Sequence, residues 1–184
     1  LEYRLSLRLG PVHARQRLGI EREAEARVFG PGHQSFHLEN ITSAPRFISA
    51  CLKLAGLFRR GQHNSRRLDT AHNQFHIPSL PQAFEGFRIL HLTDLHVDMD
   101  EANLQAVIRQ IEPLKYDVYV LTGDYRRLTW GSIEGAMDGM ARLRSAIHGK
   151  AYAVLGNHDS VRMVPGLEDM GYHLLMNEHA VLQR

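Results

Sequence analysis

The sequence has little cysteine and no long apolar run. Cys51 is the one cysteine among 184 residues, which excludes an internal disulfide framework and favours a reducing, cytoplasmic location. No stretch of about 18 consecutive apolar residues is present, so the sequence predicts no transmembrane helix. Hydrophobic residues make up 43% and charged residues 23% of the chain, which is typical of a globular domain.

The first residues also lack the features of a secretion signal. The chain begins with Leu1 rather than methionine, and charges occur throughout residues 1–10. We therefore expect the chain to be a piece of a longer protein. Its charge is uneven, because residues 1–86 hold twelve Lys/Arg and seven Asp/Glu, whereas residues 87–184 hold ten and thirteen. A basic front half thus precedes an acidic back half.

From Phe87 onward the sequence alternates between short apolar runs and amphipathic segments. The runs "FRILHL", "DVYVL", "AYAVL" and "YHLLM" predict strands. Asp100, Ser132 and Ser160 can cap the helices between them, and Leu104, Val107, Ile108 and Ile111 fall on one face of the first helix. Strands that alternate with helices predict a parallel sheet in an α/β fold.

Polar clusters follow three of these strands. Asp94 and His96 come after the first strand, Asp124 after the second, and Asn157, His158 and Asp159 after the third. The carboxyl ends of parallel strands lie at one edge of a sheet, so we expect these residues to converge. Carboxylates, imidazole and an amide oxygen suit divalent ions such as Mn²⁺, Fe²⁺ and Zn²⁺. Two such ions about 4 Å apart could clamp a phosphate and activate a bridging water.

The residue types suggest different roles within this cluster. Asp124 can bridge two ions with its two oxygens, and Asn157 can offer a neutral oxygen to the second ion. His158 could face the phosphate and assist the leaving oxygen, with Asp159 orienting its ring. Arg126 lies close enough in sequence to hold a substrate phosphate, and a solvated surface arginine is the alternative interpretation.

The segments "TDLH", "LTGDY" and "LGNHD" resemble, in order, three signature blocks of the calcineurin-like metallophosphoesterases. Within that family the sequence is most similar to the bacterial phosphodiesterase branch, over Phe87 to Glu178. The resemblance implies a layered α/β sandwich and hydrolysis of phosphoesters by a hydroxide that bridges two metal ions. It also implies that Asp94 and His96 bind the first ion, Asp124 bridges, Asn157 binds the second ion, and His158 faces the phosphate.

Two further blocks of the family pattern, a later histidine and a Gly-His-x-His segment, do not occur before Arg184. The resemblance therefore predicts the first βαβ units of a metallophosphoesterase domain, with three histidine ligands missing. We divide the chain into a mainly helical, basic segment at 1–73 and the N-terminal half of the domain at 74–184. A catalytically incomplete fragment is the alternative to an active enzyme.

The front half matches no motif. "LEYRLSLRL" suits a strand or a helix, and "HARQRLGIEREAEARVF" predicts a surface-charged helix. "PRFISACLKLAGLFRR" predicts a helix whose apolar stripe consists of Phe47, Ile48, Cys51, Leu52, Ala55 and Phe58.

That helix could pack on the catalytic domain, or residues 45–67 could bind an anionic membrane surface in the manner of a non-catalytic binding module. Nucleic acid is a less favoured partner, because interleaved aromatic residues are missing. The segment "NQFHIPSLPQAF" predicts an antiparallel edge strand, and "HAVLQR" predicts the start of another strand.

Overall fold

The computed structural model of the protein describes residues 1–29 and 44–184. Four helices form in the front half: α1 (Glu2–Leu9), α2 (Pro11–Phe29), α3 (Ala44–Leu54) and α4 (Phe58–Ser65). The back half contains β1 (Ile89–Leu92), α5 (Glu101–Ile111), β2 (Val118–Leu121), α6 (Glu134–Ala146), β3 (Ala151–Ala153), α7 (Val164–Asp169) and β4 (Tyr172–Leu174). Short 3₁₀ turns occur at Gln82–Phe84 and Val161–Met163.

The four strands form one parallel sheet in the order β1-β2-β3-β4. Each strand pairs with the next one along the chain, and a helix connects every pair. Because such crossovers are right-handed, α5, α6 and α7 lie on the same side of the sheet. The predicted α/β fold with a parallel sheet, corresponding to the first units of the family sandwich, is confirmed.

Local signals in the sequence set the ends of these helices. The Asp100 carboxylate accepts a hydrogen bond from the Ala102 N–H and caps α5, as predicted. The Ser160 hydroxyl accepts from the Arg162 N–H at 3.1 Å and caps the turn before α7. On α5, Leu104 and Ile111 point into the core and are both 3% exposed.

The core lies between the sheet and its covering helices. Tyr119 and Leu121 of β2 and Met140 and Leu143 of α6 are fully buried there. Burial of the Leu121, Met140 and Leu143 side chains contributes about 1.5–3 kcal/mol of transfer free energy each. This packing fixes the strand ends, and with them the loops that carry the polar clusters.

The first two helices join the same core. Leu5 of α1 and Ala14 and Leu18 of α2 are buried members of it. "LEYRLSLRL" is therefore a helix, and α2, predicted as a surface-charged helix, also has a buried inner face. The division of the chain at residue 73 remains a prediction, and residues 30–43 of that segment lie outside the described residues.

The predicted apolar stripe in residues 45–60 is interrupted. Helix α3 ends at Leu54, Gly56 takes a left-handed φ of 69°, and Phe58 begins α4 instead of extending the stripe. Phe47 and Ile48 are 71% and 56% exposed, so in this structure these two side chains do not pack on residues 87–184. Within the described residues, no helix combines the length and apolar character needed to cross a bilayer.

Two predicted strands do not form. Residues 71–81 contain no strand, because Pro78 and Pro81 remove two backbone donors within four residues and a turn closes between Leu80 N–H and Ile77 C=O at 3.0 Å. Residues 179–184 also contain no strand. Arg184 instead donates to the Glu85 carbonyl at 3.3 Å.

Candidate metal centre

The loops that follow β1 and β2 run side by side at the carboxyl edge of the sheet. The Asp94 N–H donates to the Gly123 carbonyl at 3.1 Å, and the His96 N–H donates to the Asp124 carbonyl at 3.0 Å. The Val97 N–H continues this ladder to the Tyr125 carbonyl at 2.8 Å. Backbone hydrogen bonds thus hold the two loops in register beyond the end of the strands.

Three of the predicted ligands converge between these loops. One ligand atom each of Asp94, His96 and Asp124 lies within 4.8 Å of the others. All three residues have a left-handed backbone, with φ angles of 54°, 39° and 56°. A non-glycine residue in this region costs about 1–2 kcal/mol, and such strain concentrates at functional sites. The fold holds these side chains together despite that cost.

The His96 ring is oriented by the second loop. Its Nδ1 lies 2.8 Å from the Arg126 carbonyl oxygen, a contact that requires Nδ1 to carry the proton. Nε2 is then the nitrogen with a free lone pair. An imidazole fixed in this way by a carbonyl group is the usual arrangement of a histidine that binds a metal.

The third loop, after β3, packs directly on Asp124. The His158 N–H donates to Asp124 Oδ1 at 3.0 Å. A Cβ on Gly156 would lie 2.1 Å from Asp124 Oδ1, and one on Gly123 would lie 2.2 Å from the Gly156 nitrogen. Both positions therefore require glycine. Asn157, next to Gly156, has an exposed side chain at this junction.

His158 lies beside His96. The two ring centroids are 5.0 Å apart, with an interplanar angle of 74°. His158 Nδ1 lies 2.8 Å from the Arg127 carbonyl oxygen, so this ring also keeps Nε2 free. The second loop thus orients both histidines through two consecutive carbonyl groups.

Asp159 has different partners from those expected. Its buried carboxylate accepts hydrogen bonds of 2.8, 2.9, 3.4 and 2.8 Å from four backbone N–H groups: those of Asp124, Tyr125, Arg126 and Gly156. Burial raises the pKa of the Asp159 carboxyl, and the four amides act in the opposite direction. The expectation that Asp159 orients the His158 ring is therefore wrong, because this carboxylate joins the second loop to the third.

Arg126 does not match its expected role either. It is 1% exposed, and its Nε donates to the Leu128 carbonyl. Burial, and then the charge of Arg162, lowers the pKa of the Arg126 guanidinium. The neighbouring Arg127 is exposed, and its N–H donates to Asp98 Oδ1 at 2.7 Å. The expectation that Arg126 holds a substrate phosphate is wrong for this structure, and Arg127 is the exposed arginine of the pair.

The donor atoms fit a divalent cation. Two carboxylates and an imidazole with a free Nε2 form a set suited to Mn²⁺, Fe²⁺ or Zn²⁺. The Thr93 hydroxyl donates to Asp94 Oδ2 at 2.6 Å, so each of the three side chains is also held by a backbone or side-chain partner. Among the described residues, the arrangement is that of a pre-oriented metal site.

Comparison with known proteins agrees with this geometry. Residues 87–181 match the family described as calcineurin-like phosphoesterase. An uncharacterized metallophosphoesterase of Bacillus subtilis (strain 168), YkoQ, is 32% identical over 110 residues. That alignment covers 55% of this chain and 40% of YkoQ, so the chain spans less than half the length of this relative. No solved structure gave a significant match. With more than half its residues matched, the chain belongs to the calcineurin-like phosphoesterase family.

Proposed function

We propose that the protein hydrolyses phosphoesters, in particular phosphodiesters, at a centre of two divalent metal ions. The family match supports the reaction class, and the Asp94–His96–Asp124 cluster supports a metal requirement. The observation that carries the proposal is the strained, left-handed backbone shared by these three residues. Three of the four non-glycine residues with a positive φ among the described residues lie at this sheet edge, and backbone strain of this kind concentrates at functional sites.

In this proposal Asp94 and His96 would hold the first ion, Asn157 would hold the second, and Asp124 would contribute to both. Asn157 is exposed and follows Gly156, whose backbone approaches Asp124 closely. The metal ions supply Lewis acidity towards the phosphate and lower the pKa of a bound water. The chain contributes the ligand geometry, which its backbone hydrogen bonds fix before any ion binds.

His158 acts on the substrate in this scheme. Because its Nδ1 is held by the Arg127 carbonyl, its Nε2 is available to the phosphate or to the leaving oxygen. Arg127 is exposed beside it and suits a phosphate oxygen better than the buried Arg126. Asp159 acts as a positioning residue that keeps the second and third loops in contact.

The test measures Mn²⁺ binding to the chain and Mn²⁺-dependent cleavage of bis(p-nitrophenyl) phosphate, with p-nitrophenyl phosphate as the monoester comparison. Asp124→Ala should abolish both binding and cleavage, because it removes the ligand shared by the two ions. Asp138→Ala, an exposed aspartate on α6, is the control and should match the wild type. Cleavage that survives Asp124→Ala would overturn the assignment.

A second candidate function is membrane-surface binding through residues 45–67. It is favoured by Phe47, Ile48 and Leu52, which are 71%, 56% and 36% exposed on one helix beside the cations of α4. An apolar face with adjacent arginines suits anionic lipid. The full chain should sediment with vesicles containing phosphatidylglycerol at low salt, and Phe47→Ser/Ile48→Ser should prevent this. Absence of wild-type binding at every salt concentration would exclude the membrane role.

A further inference from the structure

Helix α2 contacts the loop that follows the third polar cluster. Glu21 Oε2 accepts a hydrogen bond from the Ser160 hydroxyl at 2.5 Å, and Glu21 Oε1 accepts from the Val161 N–H at 2.9 Å. The side chain of Glu21 is 17% exposed, so both contacts are largely shielded from water. A carboxylate that lies 66 positions before the family-matched region therefore binds the end of the Asn157–Asp159 loop.

A second carboxylate lies one helical turn further along the same face. Glu25 forms an ion pair with the guanidinium of Arg162. The buried Arg126 lies near both groups, because beyond the effect of burial the Arg162 charge lowers and the Glu25 charge raises the pKa of its guanidinium. Within the part of the chain that the structure describes, its terminal nitrogens have no hydrogen-bond partner. Glu25 therefore offsets the repulsion between two arginines beneath the proposed site.

A continuous set of contacts joins α2 to the metal ligands. Glu21 fixes Ser160, and Ser160 directly follows Asp159 in the chain. The Asp159 carboxylate in turn binds the amides of Asp124 and Gly156 at 2.8 Å each. Displacement of Ser160 would move Asp159, and the second and third loops would lose the contact that sets the position of Asp124.

We propose that Glu21, supported by Glu25, is a positioning residue for the metal centre, so that α2 is a working part of a phosphoesterase site built mainly from residues 87–181. The inference rests on the proposed metal centre. It goes beyond the family match, which does not include α2. Ala14 and Leu18 anchor α2 in the core independently, so the loss of the Glu21 carboxylate loosens the loop without detaching the helix.

The experiment compares Mn²⁺ affinity, measured by electron paramagnetic resonance, with amide hydrogen exchange and global unfolding in the full chain. Glu21→Ala should weaken Mn²⁺ binding about tenfold, the low end of the effect of outer-shell residues on metal affinity. Exchange of the Val161, Gly156 and Asp124 amides should accelerate by a similar factor. Glu21→Gln keeps one acceptor oxygen and should recover part of both effects.

Glu2→Ala is the matched control. Glu2 is also a helical glutamate, at the start of α1, where it pairs with Arg15 of α2 and is 55% exposed. Its loss should change neither the Mn²⁺ affinity nor the amide exchange rates. Should Glu21→Ala fail to fold, Glu21→Gln carries the comparison, because it keeps one acceptor oxygen and should weaken Mn²⁺ binding relative to the wild type by a smaller factor.

The outcomes separate this inference from the proposed function. If Glu21→Ala binds Mn²⁺ as tightly as Glu2→Ala, the positioning role is refuted while the metal centre stands. If the wild type binds no Mn²⁺, the proposed function fails. In that case amide hydrogen exchange alone tests whether Glu21 positions the second and third loops. Unchanged exchange at Gly156 and Asp124 in Glu21→Ala would refute that role.

Discussion

Replacement of Gly156 by alanine probes how closely the loops must approach at the metal centre. The added Cβ would lie 2.1 Å from Asp124 Oδ1 and 2.5 Å from the Asp124 nitrogen. Ordinary carbon–oxygen contacts are about 3.3–3.6 Å, so the loop would have to move by roughly 1 Å. The obstructing atoms include backbone, which cannot rotate away. Steric strain of this kind costs about 1–3 kcal/mol of folding free energy.

The functional effect of Gly156→Ala should exceed its effect on stability. A displacement of about 1 Å at a catalytic centre can lower activity about 100-fold, and we expect a comparable loss of Mn²⁺ affinity. Mn²⁺ titration followed by electron paramagnetic resonance measures this loss, and chemical denaturation measures stability. Gly19→Ala lies at an exposed helical position where, apart from its chain neighbours and its own helix backbone, no atom of the described residues comes within 4 Å of the new Cβ. It should leave Mn²⁺ binding unchanged and stabilise α2 slightly. Mn²⁺ affinity within threefold of the wild type in Gly156→Ala would refute the claim that the loops are held in close contact.

Further substitutions test the supporting contacts. Asp159→Asn should lower the free energy of unfolding by about 3 kcal/mol in denaturant titrations. The NH₂ group of the new asparagine would face backbone N–H groups that now donate to the carboxylate. An unchanged midpoint would contradict the role given to this carboxylate. Asp100→Ala should cost about 1 kcal/mol through loss of the α5 cap, seen as a lower Tm, and an unchanged Tm would show that the cap contributes nothing. The Arg8 guanidinium lowers the pKa of Glu178, so this pair stabilises the fold above the ordinary glutamate pKa of about 4.3 and loses that contribution as the pH falls further. Unfolding measured from pH 7 to pH 3 should therefore show a smaller acid-induced loss in Arg8→Gln, and identical slopes would contradict this.

The strands could be predicted from local sequence, and the ligand cluster from the parallel topology that those strands imply. Val118–Leu121 is a continuous apolar run, which is typical of a strand covered on both faces, and Asp100 precedes a helical pattern that it can cap. Once parallel pairing is inferred, the loops after the strands must share one edge. The convergence of Asp94, His96 and Asp124 follows from that topology and needs no knowledge of side-chain contacts.

The partners of individual polar groups could not be predicted in this way. By sequence alone, the Asp159 carboxylate could accept a hydrogen bond from the adjacent imidazole or from backbone amides. The packing of the second loop on the third places backbone amides against it. Likewise, "RR" at 126–127 does not reveal which guanidinium is buried. Asp98 could have been suspected from its position two residues after His96, but its contact with the Arg127 N–H depends on the second loop.

The front half was harder to predict because its structure depends on distant contacts. Arg4 and Arg8 of α1 bind Glu168, Asp169 and Glu178, which lie about 160–170 residues away in the chain. The pattern of "LEYRLSLRL" fits either a strand or a helix. In the observed helix, Leu5 is buried and these ion pairs form. The sequence pattern does not reveal the break between α3 and α4 at Gly56, because the apolar spacing continues across it.

An anomalous-scattering map recorded near the manganese absorption edge, from crystals of the chain soaked in Mn²⁺, would show whether the side chains of Asp94, His96 and Asp124 bind a metal ion. We expect a peak at bonding distance from these three side chains, and no such peak in Asp124→Asn. A map without a peak among these three side chains at saturating Mn²⁺, or with these side chains turned away from one another, would contradict this expectation.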